Sequence, residues 1–105
     1  MIGLPTPHTL TVIEPTLSTD PYGSEVKSYD PATGTTIRAQ VQPQASEESA
    51  DRVVTKLKAY TGAEVPITAR VLFRGATFEI TSVIRWDNIA GGLHHYELEL
   101  REVAG

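Results

Sequence analysis

The stretch VPITARVLFRGATFEITSVIRW, residues 65–86, decides the fold class of this chain. Two runs rich in Val, Ile, Phe and Thr flank the pair Arg74-Gly75. Such β-prone runs around a short glycine-containing turn are typical of a β-hairpin. The alternation places every other residue of the second run on one face: Phe78, Ile80, Ser82 and Ile84. The sequence therefore predicts two antiparallel strands over 65–73 and 76–86.

The same alternation continues on both sides of this hairpin. The run LHHYELELREV (93–103) follows the turn-rich loop DNIAGG (87–92). Its pattern places Tyr96, Leu98 and Leu100 inward and Glu97, Glu99 and Arg101 outward. Nearer the N-terminus, TLTVIE (9–14) and TIRAQVQ (36–42) read as strands, and SEVKSY (24–29) as a short edge strand between two Asp-Pro turns.

The run RVVTKLKAYTG (52–62) fits two periodicities. Apolar residues recur there at helical spacing, but Val and Thr favour a strand, and Gly62 and Pro66 leave a helix little room. The strand interpretation is therefore favoured. About six short strands at this spacing predict an all-β single domain over residues 1–105, a small barrel or sandwich with a long polar loop between early strands.

Composition narrows the class of function. Nine Lys and Arg against thirteen Asp and Glu give a net charge of −4, which disfavours non-specific nucleic-acid binding. The chain has no cysteine, so disulfides and thiolate metal sites are excluded. No apolar run approaches the roughly 20 residues that cross a bilayer, and the first residues lack the features of a signal peptide. We therefore expect no membrane partner.

Two clusters invite a metal-site interpretation. His94 and His95 are adjacent, but neighbours on a regular strand point to opposite faces, so they are not expected to chelate one ion. Glu47, Glu48 and Asp51 lie close together but lack the residue order of a calcium loop. The sequence thus predicts no metal and no cofactor.

Catalytic patterns are equally sparse. Glu97 and Glu99 share a face, but acid–base catalysis needs two carboxyl groups in contrasting environments, and an exposed sheet face is the simpler interpretation. Ser46, Ser49 and Thr55 lack the motifs that surround a nucleophilic hydroxyl. No phosphate-binding glycine motif occurs either. We therefore expect a protein that is not an enzyme.

The segment QPQASEESADR (42–52) stands out between strand-like runs because it is polar and carries three carboxylates. Two interpretations stay open from the residues alone. The segment could be a polar loop that is simply exposed to solvent, or a loop positioned for a function.

Three features in series resemble the head closure, or "stopper", family of tailed-bacteriophage head-to-tail connectors. The first is TLTVIEP followed by the turn TDPYG (19–23). The second is a strand, a polar insertion and a second strand over 37–60. The third is the hairpin with Gly75, Phe78 and Ile80, its loop and the closing strand. Where the family often carries a tryptophan after the first turn, this chain has Tyr29.

The resemblance implies a small β-barrel that assembles as a homo-oligomeric ring in the virion neck, after synthesis in the host cytoplasm. Such a ring lies below the portal and its adaptor, helps close the channel and retain packaged DNA, and presents a surface for the tail terminator or tail tube. DNA would occupy the lumen without sequence-specific contacts. The neighbouring roles of adaptor or tail terminator are alternatives, and so is a monomeric β-barrel binding module.

The family's long insertion reaches toward the channel, and here it maps to residues 42–52. The residues expected to line or gate the channel are Gln42, Gln44, Ser46, Glu47, Glu48, Ser49, Asp51 and Arg52. The residues expected to contact subunits or neighbouring proteins are Asp20, Tyr22, Tyr29, Trp86, Asp87, Asn88 and Ile89.

Overall fold

A computed structural model describes residues 5–44, 47–49 and 52–103. The ten strands in this part of the chain are β1 (His8–Ile13), β2 (Thr16–Thr19), β3 (Glu25–Ser28), β4 (Thr35–Pro43), β5 (Glu47–Ser49), β6 (Arg52–Val54), β7 (Lys56–Thr61), β8 (Arg70–Phe73), β9 (Ala76–Asp87) and β10 (Leu93–Glu102). A 3₁₀ turn, Pro31–Thr33, precedes β4. No helix in the described ranges is long and apolar enough to cross a membrane.

Six of the strands form a closed antiparallel barrel in the order β1-β4-β7-β10-β9-β8. The barrel closes where β8 pairs with β1, with Val71 opposite Val12. This confirms the predicted all-β class and selects the barrel over the sandwich. The strand interpretation of residues 52–62 is also confirmed, because they contain β6 and all of β7.

The barrel interior is filled by the inward residues of all six strands. Leu10, Ala39, Ala59, Val71 and Leu98 have no solvent exposure. Small and large side chains face each other across the ladder, as where Ala59 lies opposite Leu98. Leu100 is also buried, so the predicted inward face of β10 is correct. Alternating sizes let a narrow barrel close around a solid core rather than a channel.

The hairpin of β8 and β9 turns where the sequence indicated. Phe73 pairs with Ala76, and both turn residues have positive φ, 50° at Arg74 and 80° at Gly75. Two consecutive left-handed residues are the signature of a type I′ turn, whose twist suits a tight hairpin. The predicted first strand was too long, because the observed β8 begins only at Arg70.

The residues before β8 form a loop that covers the barrel instead of extending the strand. Pro66 cannot donate to a ladder, and the N–H of Ala69 bonds back to its carbonyl oxygen at 3.0 Å. Val65 and Ala69 are buried in the same core cluster as the barrel strands. The loop therefore contributes to the core without pairing.

A bulge in β9 overturns one predicted face. Leu100 pairs with Ile80 and Glu99 pairs with Ser82, so Thr81 is an extra residue in the ladder. An extra residue shifts the alternation by one position. Val83 consequently packs against the core, whereas Ile84, expected inward, is exposed.

Two short hairpins stand outside the barrel ladder. Strand β2 pairs with β3, and β5 pairs with β6. The sequence predicted β3, within SEVKSY, as an edge strand but did not predict β2. Every residue of β2 and β3 is exposed.

Candidate functional site

Most of the described residues of the polar segment 42–52 belong to paired strands. Gln42 belongs to β4 and pairs with Lys58 of β7, and the N–H of Gln44 bonds to the carbonyl oxygen of Lys56 at 2.9 Å. Strands β5 and β6 lie between β4 and β7 in the chain and pair with each other, with Glu48 opposite Val53. Among the described residues, the expected polar loop therefore contains a short hairpin. We call β5 and β6, with the residues that join them, the acidic arm.

The acidic arm contains most of the predicted channel residues. Glu47, Glu48, Ser49 and Arg52 lie on its two paired strands, and Ser49 pairs with Arg52. Ser46 and Asp51 lie outside the described residues. The sequence of the arm carries three carboxylates and one arginine, so its local charge is negative.

The β2–β3 hairpin is shaped by Asp20, which was expected to be a contact residue. Its carboxylate oxygen accepts the N–H groups of Tyr22 at 2.9 Å and Ser24 at 2.8 Å. Gly23 supplies the positive φ of 84° that the turn requires. Asp20 thus holds the turn together and leaves Tyr22, 93% exposed, at the tip.

Tyr29 fixes the base of this hairpin to the barrel. Its hydroxyl donates to the carbonyl oxygen of Thr68 at 3.0 Å, and the guanidinium of Arg70 lies 4.3 Å from the centre of its ring. A hydrogen bond and a cation–π contact on one side chain give it an anchoring role within the subunit. Leu17 and Val26, by contrast, are exposed on the hairpin and were not singled out from the sequence.

The loop between β9 and β10 is held by Asn88, another expected contact residue. Its side-chain oxygen accepts the N–H groups of Ala90 at 2.9 Å and Gly92 at 3.1 Å. Ile89 is therefore presented fully to solvent at the loop tip. Trp86, just before the loop, is 49% exposed. Trp86 and Ile89 thus place two large apolar side chains in contact with solvent at this end of the barrel.

Asp87 is engaged within the same strand. Its carboxylate lies 2.7 Å from Nε of Arg85, and this hydrogen bond and charge raise the pKa of Arg85 above its ordinary value. Both side chains are about half exposed. An exposed ion pair of this kind contributes little to stability. Because its side chain is about half exposed, Asp87 remains accessible to another protein.

The two adjacent histidines do not point to opposite faces. Leu93 pairs with Asp87 and His95 pairs with Trp86, so His94 is an extra residue and β10 bulges there. The bulge brings Nδ1 of His94 to 2.7 Å from Nδ1 of His95. The argument that separated them on a regular strand is therefore wrong.

His95 is also braced from two neighbouring strands. Its ring stacks on Trp86 of β9 at 6.3 Å and meets Tyr60 of β7 edge-on at 5.7 Å. Burial lowers the pKa of His95 below its ordinary value, and the neighbouring His94 adds to this effect. The sequence signal for this cluster was the adjacent histidine pair, but the bulge that unites the pair was not visible in it.

Glu97 and Glu99 occupy the outer side of β10, next to a lysine. Lys58 Nζ lies 3.4 Å from the Glu97 carboxylate, and Lys58 pairs with Glu99 across the ladder. The side chain of Glu97 is only 13% exposed, so it is less solvated than predicted. In the described part of the chain, no group of three or more His, Cys, Asp or Glu side chains converges on one point.

One surface depression was not predicted from the sequence, because the residues that line it come from distant segments of the chain. Thr6, Arg38, Thr61 and His94 line an open hollow of about 500 Å³. Arg38 is held there by Thr6, whose carbonyl oxygen accepts both Nε at 3.1 Å and Nη2 at 2.9 Å. With these two bonds the guanidinium ties the N-terminal segment to β4.

The described residues thus form a small closed β-barrel with two short hairpins outside its ladder. The chain is similar in fold to a chain of the "virion of native gene transfer agent (GTA) particle", with a TM-score of 0.76 and 16% sequence identity. The alignment covers 97% of this chain and 99% of the other. No protein-family model and no curated protein sequence matches this chain. At this identity the similarity shows a common fold.

Proposed function

We propose that this chain is a non-enzymatic structural subunit of a phage-like virion and acts as a head closure protein in its head–tail connector. The observation that carries the proposal is the fold similarity to a virion chain over nearly the whole length of both proteins. The resemblance of TDPYG and of the β8–β9 hairpin to the stopper family supports the same role. In this proposal the protein is assembled in the host cytoplasm and resides in the virion neck.

The subunits form a homo-oligomeric ring between a portal-side adaptor and the tail terminator or tail tube. Support comes from the β2–β3 hairpin, on which Leu17, Tyr22 and Val26 are exposed. An isolated two-stranded hairpin is marginally stable in water, so exposed apolar side chains on one are suited to completing their packing on a neighbour. The Trp86–Ile89 end supplies a second contact region of this kind.

The acidic arm lines the central channel. It extends from β4 and β7 beyond the barrel ladder and carries the carboxylates of Glu47, Glu48 and Asp51. A ring repeats the arm around one axis, which turns a small local charge into an acidic collar. Such a collar repels DNA phosphates over a screening length of about 8 Å at physiological salt, so DNA slides past without adhering.

The ring itself is tested with purified protein and with virions. Negative-stain images and cross-linking are expected to show rings, and antibody labelling is expected to place the chain at the neck. A protein that stays monomeric and is absent from particles would favour the binding-module alternative and would contradict the connector role. Labelled particles with a different neck position would point to the adaptor or the tail terminator.

The arm is tested with two variants and a matched control. One variant replaces residues 45–54 with Asn-Gly-Gly, and the second combines Glu47→Gln, Glu48→Gln and Asp51→Asn. The control neutralises three exposed carboxylates outside the arm and outside the proposed contact regions, Glu14→Gln, Glu64→Gln and Glu79→Gln. All three proteins carry the same wild-type barrel core.

Nuclease-protected DNA and tail attachment are the readouts. Removal of the arm is expected to give filled heads that lose DNA, because the channel is left open. Neutralisation is expected to slow DNA release in a salt-dependent manner, because the repulsion is lost. The control should behave as wild type. Normal DNA retention and release in both arm variants would remove the arm from the mechanism.

A further inference from the structure

We propose that His94 and His95 form a two-histidine chelate for a borderline transition-metal ion such as Cu²⁺, Ni²⁺ or Zn²⁺. The bulge in β10 places their Nδ1 atoms 2.7 Å apart on the same side of the strand. Two imidazole nitrogens bound about 2.0–2.1 Å from one metal are about 2.9 Å apart at a right angle and about 3.3 Å apart in a tetrahedron. The distance between the two nitrogens therefore needs to grow by only a few tenths of an ångström, together with a rotation of the rings that turns both lone pairs toward one ion.

The two nitrogens that converge are of the right chemical kind. Neutral imidazole is a preferred ligand for Cu²⁺, Ni²⁺ and Zn²⁺. Without a metal, the two Nδ1 atoms share one proton in a hydrogen bond at 2.7 Å. With a metal, that proton moves to Nε2 and both Nδ1 lone pairs point at the ion. Solvent fills the remaining coordination positions.

The surroundings orient one ligand and keep the other accessible. His95 is held by Trp86 and Tyr60, which limits the rotation of its ring. His94 is exposed and lines the open hollow beside Thr61, so an ion can approach from solvent. A ligand fixed by its neighbours loses less freedom on binding, which favours affinity.

The third histidine provides a control within the same chain. His8 lies on β1, and its Nδ1 already accepts the N–H of Val41 at 3.0 Å. Its ring packs edge-on against Phe73 at 5.7 Å. His8 therefore has the same chemistry as the pair but lacks a nitrogen partner for chelation in the described structure.

Trp86 makes the site directly measurable. It is the single tryptophan of the chain, and its ring centre lies 6.3 Å from that of His95. Cu²⁺ bound to the pair should quench its fluorescence, whereas Zn²⁺ should bind without strong quenching and compete. The experiment titrates untagged full-length protein with Cu²⁺ at neutral pH, then adds Zn²⁺ to displace it. Nitrogen splitting in the Cu²⁺ paramagnetic resonance spectrum counts the bound imidazoles.

Saturable quenching with one Cu²⁺ per chain and two coordinated nitrogens is the expected result. His94→Asn and His95→Asn should each weaken binding at least about 10- to 100-fold, while His8→Asn should leave it unchanged. Thermal unfolding of each variant verifies that the barrel is folded. The proposal is overturned by equal quenching in His94→Asn, or by wild-type protein that shows no saturable binding up to about 1 mM Cu²⁺.

Discussion

Replacing residues 45–54 with Asn-Gly-Gly should leave the barrel folded and almost unchanged in stability. The change removes β5 and β6 but retains both ends of the ladder that lead into them. Gln44 still bonds to Lys56, and the carbonyl oxygen of Thr55 still accepts the N–H of Glu102 at 2.9 Å. Core residues of the barrel such as Leu10, Ala59 and Leu98 lie on strands that the variant retains.

The magnitude follows from chain closure. The connection between Gln44 and Thr55 shortens from ten residues to three, and the factor (3/2)RT ln(10/3) gives about 1 kcal/mol of stabilisation. The pairing of β5 with β6 offsets part of this gain, because a two-stranded hairpin is itself only marginally stable. We therefore expect the free energy of unfolding to change by about 1 kcal/mol or less, and Tm by less than about 8 °C.

Urea and thermal unfolding followed by circular dichroism measure this change. Both transitions should stay cooperative, with the urea slope reduced only in proportion to the removed surface. A loss of more than about 3 kcal/mol, far outside the closure estimate, would refute the reasoning. It would show that the arm belongs to the folding unit of the barrel.

Three further changes test the barrel itself. Leu98→Ala, at a position with no exposure, should cost about 2–5 kcal/mol in urea unfolding by opening a cavity. Thr61→Val should cost about 1–3 kcal/mol, because the fully buried hydroxyl donates to the Arg38 carbonyl oxygen at 2.8 Å and accepts the N–H of Ala63 at 3.1 Å; Thr61→Ser should restore most of this loss. Gly75→Ala should lower thermal stability by about 1–2 kcal/mol through its φ of 80° alone, since no atom lies within 4 Å of an added Cβ.

Strand identity and the inward faces were predictable wherever the ladder is regular. The alternation of Tyr96, Leu98 and Leu100 gave the correct face of β10 because a pleated strand has a fixed period of two. The period fails at Thr81 and at His94, each an extra residue in its strand. Neither side chain indicates a bulge in the sequence, because the position of a bulge depends on barrel curvature and on the register between neighbouring strands.

The sequence predicted which segment forms the candidate site, but not the backbone pairing within that segment. Polarity and charge marked residues 42–52, whereas the pairing of β5 with β6 has no signal in their sequence. Asp20 and Tyr29 are predicted as contact residues because they lie on the edge 20–30. Within the subunit, Asp20 accepts two backbone hydrogen bonds in its own turn, and Tyr29 donates one to Thr68. The Tyr29 bond joins residues far apart in the chain, which a single sequence does not specify.

Closure of the barrel determines how this chain can join others through its backbone. Each of the six barrel strands is paired with two neighbours, so the ladder closes on itself without an edge strand. In the described ranges, unpaired strand edges lie on β2, β3, β5 and β6, and along the part of β9 beyond Glu79, which pairs only with β10. β-Augmentation between chains is thereby directed to the two short hairpins and to the outer part of β9, where one side of the strand has no paired neighbour.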